Sequence, residues 1–238
     1  MTTNQELLVA AIIGNISKVE EILQDISTDI DISDSDGRTP LIWAAKNGHS
    51  EVVRVLLIQP EINVYKTNAY GDTALLWASK NGHVKAVTHL IGHTDIDINQ
   101  VDSGGKTPLY KASQSGHFEV VKLLCSHAKI LVNKGEPEFG GTPLYIAAKN
   151  GHENVVSHLL GLSQIDVNKY TINRETSLMV ASAGGYSDIP LSHFWISAAC
   201  GENINFALPP LLEFGLTKYD FSPKSHFSYF FNPNSRRE

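Results

Sequence analysis

Apolar positions along this chain fall into blocks that recur. RTPLIWAAKNGHSEVVRVLL begins at Arg38, DTALLWASKNGHVKAVTHLI at Asp72, KTPLYKASQSGHFEVVKLLC at Lys106 and GTPLYIAAKNGHENVVSHLL at Gly141. Thr39, Thr73, Thr107, Thr142 and Thr176 mark the phase, in steps of 34, 34, 35 and 34 residues. Counting back 34 from Thr39 reaches Gln5, where QELLVAAIIGNISKVEEIL fits the same frame. A period of this length is the signature of a repeat architecture, and six units cover residues 1–190.

Each unit predicts a helix, a tight turn and a second helix. Thr39 is an N-cap whose hydroxyl can accept from free backbone N–H groups, and Pro40 follows at the first helical position. The pair recurs at Thr107–Pro108 and Thr142–Pro143. Ala44–Ala45 and Ala147–Ala148 offer flat surfaces for close helix approach. Gly48, Gly82, Gly116, Gly151 and Gly185 stand where the first helix must end in a left-handed residue. Val52, Val53, Leu56 and Leu57 then form one helical face. Polar linkers such as DISDSDG, ending at Gly37, suit a turn or hairpin.

These units resemble ankyrin repeats. Five of the six carry pieces of the family's T-P-L-x-x-A-A-x-x-G-H pattern followed by a V-V-x-x-L-L second helix. The resemblance implies an all-α repeat solenoid of stacked helix-turn-helix units with hairpin fingers, each unit touching only its neighbours. The expected units are 1–37, 38–71, 72–105, 106–140, 141–174 and an incomplete 175–190. Three departures stand out. The family's His after T-P-L is replaced by Ile42, Leu76, Tyr110, Tyr145 and Met179, so burial must substitute for a polar bond. Arg174 holds the turn slot of Gly37, Gly71, Gly105 and Gly140, which predicts a rebuilt last hairpin. Pro190 lies inside the expected second helix of the sixth unit, where the array should fail.

Composition changes beyond that point. Five of the ten prolines and seven of the nine phenylalanines lie in the last 49 residues. Residues 191–238 read as an irregular segment, a degenerate repeat or cap followed by a loose, aromatic tail. The whole chain carries 19 Lys+Arg against 25 Asp+Glu, a net charge of −6, which argues against nucleic acid as the partner. It has no apolar run long enough for a membrane span, and its first dozen residues are wrong for a signal peptide. Cys125 and Cys200 alone cannot build a disulfide framework and suit a reducing compartment, cytoplasm or nucleus. A monomer is expected.

Chemistry finds little purchase in this pattern. His49, His83, His117 and His152 share one repeat position, so the fold dictates them. His89 and His93 have metal-like spacing but no acidic or cysteine partner. His158 and Cys125 stand alone on second helices. No nucleophile elbow, phosphate loop or kinase signature occurs, so no catalytic residue, metal or cofactor is assigned.

Binding is the expected activity, by a scaffold or interaction module, with an adaptor whose C-terminal segment recruits a second protein as the alternative. The resemblance places partner contacts on the concave side, at hairpin tips and exposed first-helix positions. Carried over by position, these are Arg38, Lys46 and Asn47; Tyr70, Asp72, Lys80 and Asn81; Lys106 and Gln114; and Phe139, Lys149 and Asn150. Tyr70 and Phe139 are the aromatic anchors, and the column Lys46, Lys80 and Lys149 suits a partner with an acidic segment. Arg38, Asp72, Lys106 and Gly141 share one variable slot, and Asp36, Tyr70, Gly104 and Gly140 its neighbour. Trp43 and Trp77 occupy equivalent positions and are expected to pack between units. The resemblance also marks Asn168 and Asn99 as linker asparagines of the kind that asparaginyl hydroxylases modify, although local hydrogen bonding explains them equally well.

Overall fold

The structure, a computed structural model, describes residues 3–184; Gly185, Pro190 and the segment 191–238 lie outside the described residues. The helices pair along the chain as α1 (Thr3–Ile13) with α2 (Ile16–Ile22), α3 (Pro40–Asn47) with α4 (Ser50–Leu57) and α5 (Ala74–Lys80) with α6 (Val84–Ile91). They continue as α7 (Pro108–Ser115) with α8 (Phe118–Cys125), α9 (Pro143–Lys149) with α10 (Glu153–Leu160), and α11 (Ser177–Ala183).

The boundaries are where local chemistry puts them. The Thr39, Thr73, Thr107, Thr142 and Thr176 hydroxyls each accept from the backbone N–H three residues on, at 3.1–3.4 Å. Pro40, Pro108 and Pro143 open their helices. After α1, α3, α5, α7 and α9 a glycine turns the chain with positive φ, for example Gly116 at 74°. Space demands glycine there as much as φ does. A Cβ on Gly116 would stand 2.5 Å from Nδ1 of His152, which lies flat over it from the next unit.

First helices stack on first helices, α1 through α11, and second helices on second helices, α2 through α10, the first-helix layer packing more closely. One apolar core runs between the layers, from Leu7 and Ala11 through Val53, Leu75, Leu109 and Leu144 to Ala181. Ile42, which belongs to that core, and Leu76, Tyr110 and Tyr145 are buried, as their replacement of a polar residue requires. Met179 is 48% exposed. Among the described residues no helix is long and apolar enough to cross a membrane.

The linkers fold into a row of hairpin tips, each organised by one side chain. Asp34 Oδ1 accepts from the N–H groups of Asp36 and Arg38, and Asp102 Oδ1 from those of Gly104 and Lys106. Asn68 Oδ1 does the same for Tyr70 and Asp72. The fifth unit explains the 35-residue step. Its tip has one residue more, and the longer Glu136 side chain spans it, accepting from Glu138, Phe139 and Gly141.

The last hairpin is not rebuilt, contrary to the expectation from Arg174. Arg174 itself adopts φ 60°, the one positive-φ residue other than glycine among those described. That conformation costs about 1 kcal/mol, and the surrounding bonds hold it. Thr171 N–H donates to Glu175 O at 3.0 Å, Arg174 N–H donates to Thr171 O at 2.8 Å, and Tyr170 bridges Thr176.

Adjacent tips are also joined, by Ala69 N–H to Asp36 O (2.8 Å), Ser103 N–H to Tyr70 O (3.1 Å) and Ile172 N–H to Phe139 O (2.8 Å). In the remaining step the residue in register opposite Gly104 is Pro137, which has no N–H to give. This register also shows that Phe139, and not Gly140, occupies the slot of Tyr70.

Candidate partner-binding surface

The Asn-Gly-His stretch that ends α3, α5 and α9 holds neighbouring units together. Asn47 Nδ2 donates to Ile12 O at 2.9 Å, and His49 Nε2 bonds the same carbonyl at 3.0 Å. Asn81 and His83 converge likewise on Lys46 O, and Asn150 and His152 on Gln114 O. His117 Nε2 bonds Lys80 O at 2.9 Å; Ser115 stands where an asparagine would complete that pair. A carbonyl near a helix C-terminus lacks an intrahelical partner, so each fork satisfies an orphan acceptor across a unit boundary. Asn47, Asn81 and Asn150, expected on the binding surface, therefore have their amides committed to the stack.

The first helices display a ladder of alternating rings and cations. The Lys46 ammonium lies 4.6 Å from the centroid of the Trp43 ring and 4.6 Å from that of Trp77, bridging two units. Lys80 stands 4.9 Å from Trp77, and the Arg38 guanidinium 5.0 Å from Trp43. Arg38 is further held by Asp36 at 2.5 Å and Asp34 at 3.8 Å. Lys106 over Tyr110 and Lys149 over Tyr145, both at 5.9 Å, are looser versions of the same contact. The contacts within one helix were legible, since Trp43 and Lys46, like Trp77 and Lys80, stand three apart and share a face, whereas that of Lys46 with Trp77 joins two units.

Asp72 is not on the groove surface. It is buried and pairs with Lys111 Nζ at 2.5 Å, and that ammonium also meets Asp102 at 2.8 Å. Lys111 holds the position that Trp43 and Trp77 hold in their units, and Asp102 that of Asp34, which accepts from Trp43 Nε1 at 2.9 Å. Burial alone would raise the Asp102 carboxyl. The Lys111 ammonium and the N–H groups of Lys106 and Gly104 outweigh it and hold that carboxyl below the ordinary range. In the third unit Asn68 replaces the aspartate and offers an amide where an acceptor is needed. Trp77 Nε1 is accordingly buried without a partner.

Tyr70 and Phe139 project from their tips, 65% and 48% exposed, and Ile172 is 66% exposed one residue from the equivalent slot. Lys80, Gln114 and Lys149 are exposed, while Arg38, Lys46 and Lys106 are half-buried beside their rings. Tyr110 and Tyr145 face inward. Burial, then the charges of Glu136 and Asp102, pushes the Tyr110 phenol up to about 12. Tyr145 is likewise pushed to about 12 by burial and by Glu175, to which its hydroxyl donates at 2.7 Å.

The remaining candidates lie elsewhere. Asn99 uses both ends of its amide between linkers, donating to Lys129 O at 2.7 Å and accepting from Leu131 N–H at 2.9 Å. Asn168 N–H donates to Asp166 Oδ1 at 3.0 Å. His158 packs edge-on against Phe118, and burial pushes the Cys125 thiol up to about 12, which keeps it an unreactive thiol. Among the described residues no group of three or more His, Cys, Asp or Glu side chains could hold a metal.

Three copies of a family model described as ankyrin repeats match residues 7–102, 57–134 and 127–190. The crystal structure of EF0377, an ankyrin repeat protein, is similar to this chain with a TM-score of 0.73 at 26% identity, over 82% of this chain and 98% of that one. A comparison with curated proteins returned no match. The repeated caps, the positive-φ glycines, the stacked helix pairs and the family model over residues 7–190 agree, and the chain belongs to the ankyrin repeat family.

Proposed function

We propose that this chain binds a partner protein through its hairpin tips and first-helix face and turns over no substrate of its own. Ankyrin repeats are generally protein–protein interaction modules, and the distribution of constrained and free positions here supports that reading. The threonine caps, glycine ends and Asn-His forks have duties inside the stack. The tip slot joins its neighbours through its backbone, and its Tyr70 and Phe139 side chains are left free of the core. Tyr70 and Phe139 stand there 65% and 48% exposed, where other units carry Asp36, Gly104 and Asn173. Large exposed aromatics at positions the fold leaves open are the observation that carries the proposal, since such side chains give wide contact at small entropic cost.

The test is quantitative affinity capture with the full chain and with the double variant Tyr70→Ala, Phe139→Ala. Loss of a buried aromatic anchor costs about 2 kcal/mol, about thirtyfold in affinity. The variant should lose most partner capture and keep the parent's thermal melt, because neither ring belongs to the core. Full capture by the double variant would remove the tips from the site.

A further inference from the structure

From α3 to α11 the first helices contain Lys46, Lys80, Lys111 and Lys149 and no aspartate or glutamate. Yet the whole chain has more acids than bases, 25 against 19. The acids among the described residues stand on α1 at Glu6, on the second helices at Glu20, Glu21, Glu51, Glu119 and Glu153, beside Lys18, Arg54, Lys85 and Lys122, and in the linkers. At the tips next to the first helices, Arg38 holds Asp34 and Asp36, and Lys111 holds Asp72 and Asp102.

Lys46, Lys80, Lys106 and Lys149 differ from those two. Among the described residues their ammonium groups face aromatic rings and form no ion pair. An aromatic face attracts a cation but leaves its charge uncompensated. It also orders a long side chain in advance, and side-chain ordering otherwise subtracts from binding. The ladder thus holds cations against rings, and no acid among the described residues neutralises them.

We infer that the column of Lys46, Lys80 and Lys149, in the last turns of α3, α5 and α9, receives an extended acidic segment of a partner protein, with Lys106 at the opposite end of α7. The inference rests on the interaction reading above and adds the chemistry of the ligand. Stacked helices lie about 10 Å apart, and a chain in the extended polyproline II form advances about 3.1 Å per residue with three residues per turn, so every third side chain shares a face. A carboxylate at every third position therefore meets one unit after another. Gln114, exposed in the column between Lys80 and Lys149, accommodates a neutral polar residue.

The probe is a synthetic peptide of about five Glu-Ser-Gly units, matched to that spacing. It is titrated into the full-length ¹⁵N-labelled protein while the indole N–H signals of Trp43 and Trp77 are followed, assigned through Trp43→Phe and Trp77→Phe. Both signals should shift saturably, with binding weakened by salt. The double variant Lys46→Gln, Lys80→Gln should bind about tenfold more weakly, and Arg54→Gln, on α4, as the parent does. Should the double variant melt early, Lys149→Gln decides. That side chain is exposed and bridges no indoles, and its loss should weaken binding about threefold.

No shift, an equal response to a Lys-Ser-Gly peptide, or tighter capture of a thymidine oligonucleotide would overturn the inference. Should the peptide fail while partner capture still depends on Tyr70 and Phe139, the acidic ligand falls and the interaction reading stands.

Discussion

At the scale of single residues, Lys111 shows how one side chain acquires its role from neighbours far along the chain. Its ammonium sits between Asp72 and Asp102, with all three side chains about nine-tenths buried. Removing one member of such a group leaves charge buried without compensation, which costs about 3 kcal/mol. Lys111→Met should therefore lower stability at pH 7 by about that amount in urea melts. The pH dependence carries a second, sharper expectation. Asp102 has a folded-state pKa below its unfolded value, so in the parent its contribution is present above pH ~4 and is lost as pH falls through the folded pKa. Without the ammonium, burial favours the protonated carboxyl and reverses the sign. The gap between parent and Lys111→Met should then shrink as the pH is lowered from 7 to about 4. A gap that stays constant over that range would show that the Lys111 ammonium is not what holds the Asp102 carboxyl down.

At the scale of elements, each helix pair is delimited by two devices of unequal cost. Thr107 accepts from Tyr110 N–H at 3.1 Å, and Thr107→Ala should lower stability by about 1 kcal/mol, the usual value for a lost N-cap. Gly116 combines φ 74° with the His152 ring where its Cβ would be. Gly116→Val should cost clearly more, because backbone strain adds to displacement of a ring that bonds Gln114 O. Circular dichroism melts of the two variants read this order directly, and the reverse order would mean that the His152 fork contributes little. The caps and glycine ends were legible in the sequence because they act within a few residues. The forks were not, since the shared acceptor lies in the preceding unit and nothing local to Lys-Asn-Gly-His names it.

At the scale of the whole molecule, stability is a chain of nearest-neighbour terms. Each boundary has its own stock of bonds beyond the apolar stack. The boundary between the third and fourth units has the Lys111–Asp72 pair; the next has the Asn150 and His152 fork, but no tip bond at Pro137. Deleting residues 106–140 keeps the repeat phase but takes Lys111 from Asp72 and brings Gly141 into the place of Lys106. The shortened protein should remain helical, melt at a lower temperature and unfold over a broader range. A melt as sharp and as high as the parent's would show that the boundaries are interchangeable, against the residue-level differences described here.

The sequence by itself determined what is local or periodic. Thr-Pro caps, glycine helix ends and the apolar stripe are short-range requirements, and five phased copies turned them into a solenoid of known unit length. It also placed Tyr70 and Phe139 on tips, because the tip lies at a set distance before each capping threonine. The tertiary structure decided whatever depends on atoms arriving from another unit. It buried Asp72 against Lys111, 39 residues away, and seated Lys46 between indoles of two different units. It also kept the last hairpin by letting Arg174 take a left-handed turn within a preserved set of bonds. The physical reason is the same in each case. Electrostatic and steric partners are set by which surfaces the stack brings together, and a single unit's sequence does not contain its neighbour's atoms.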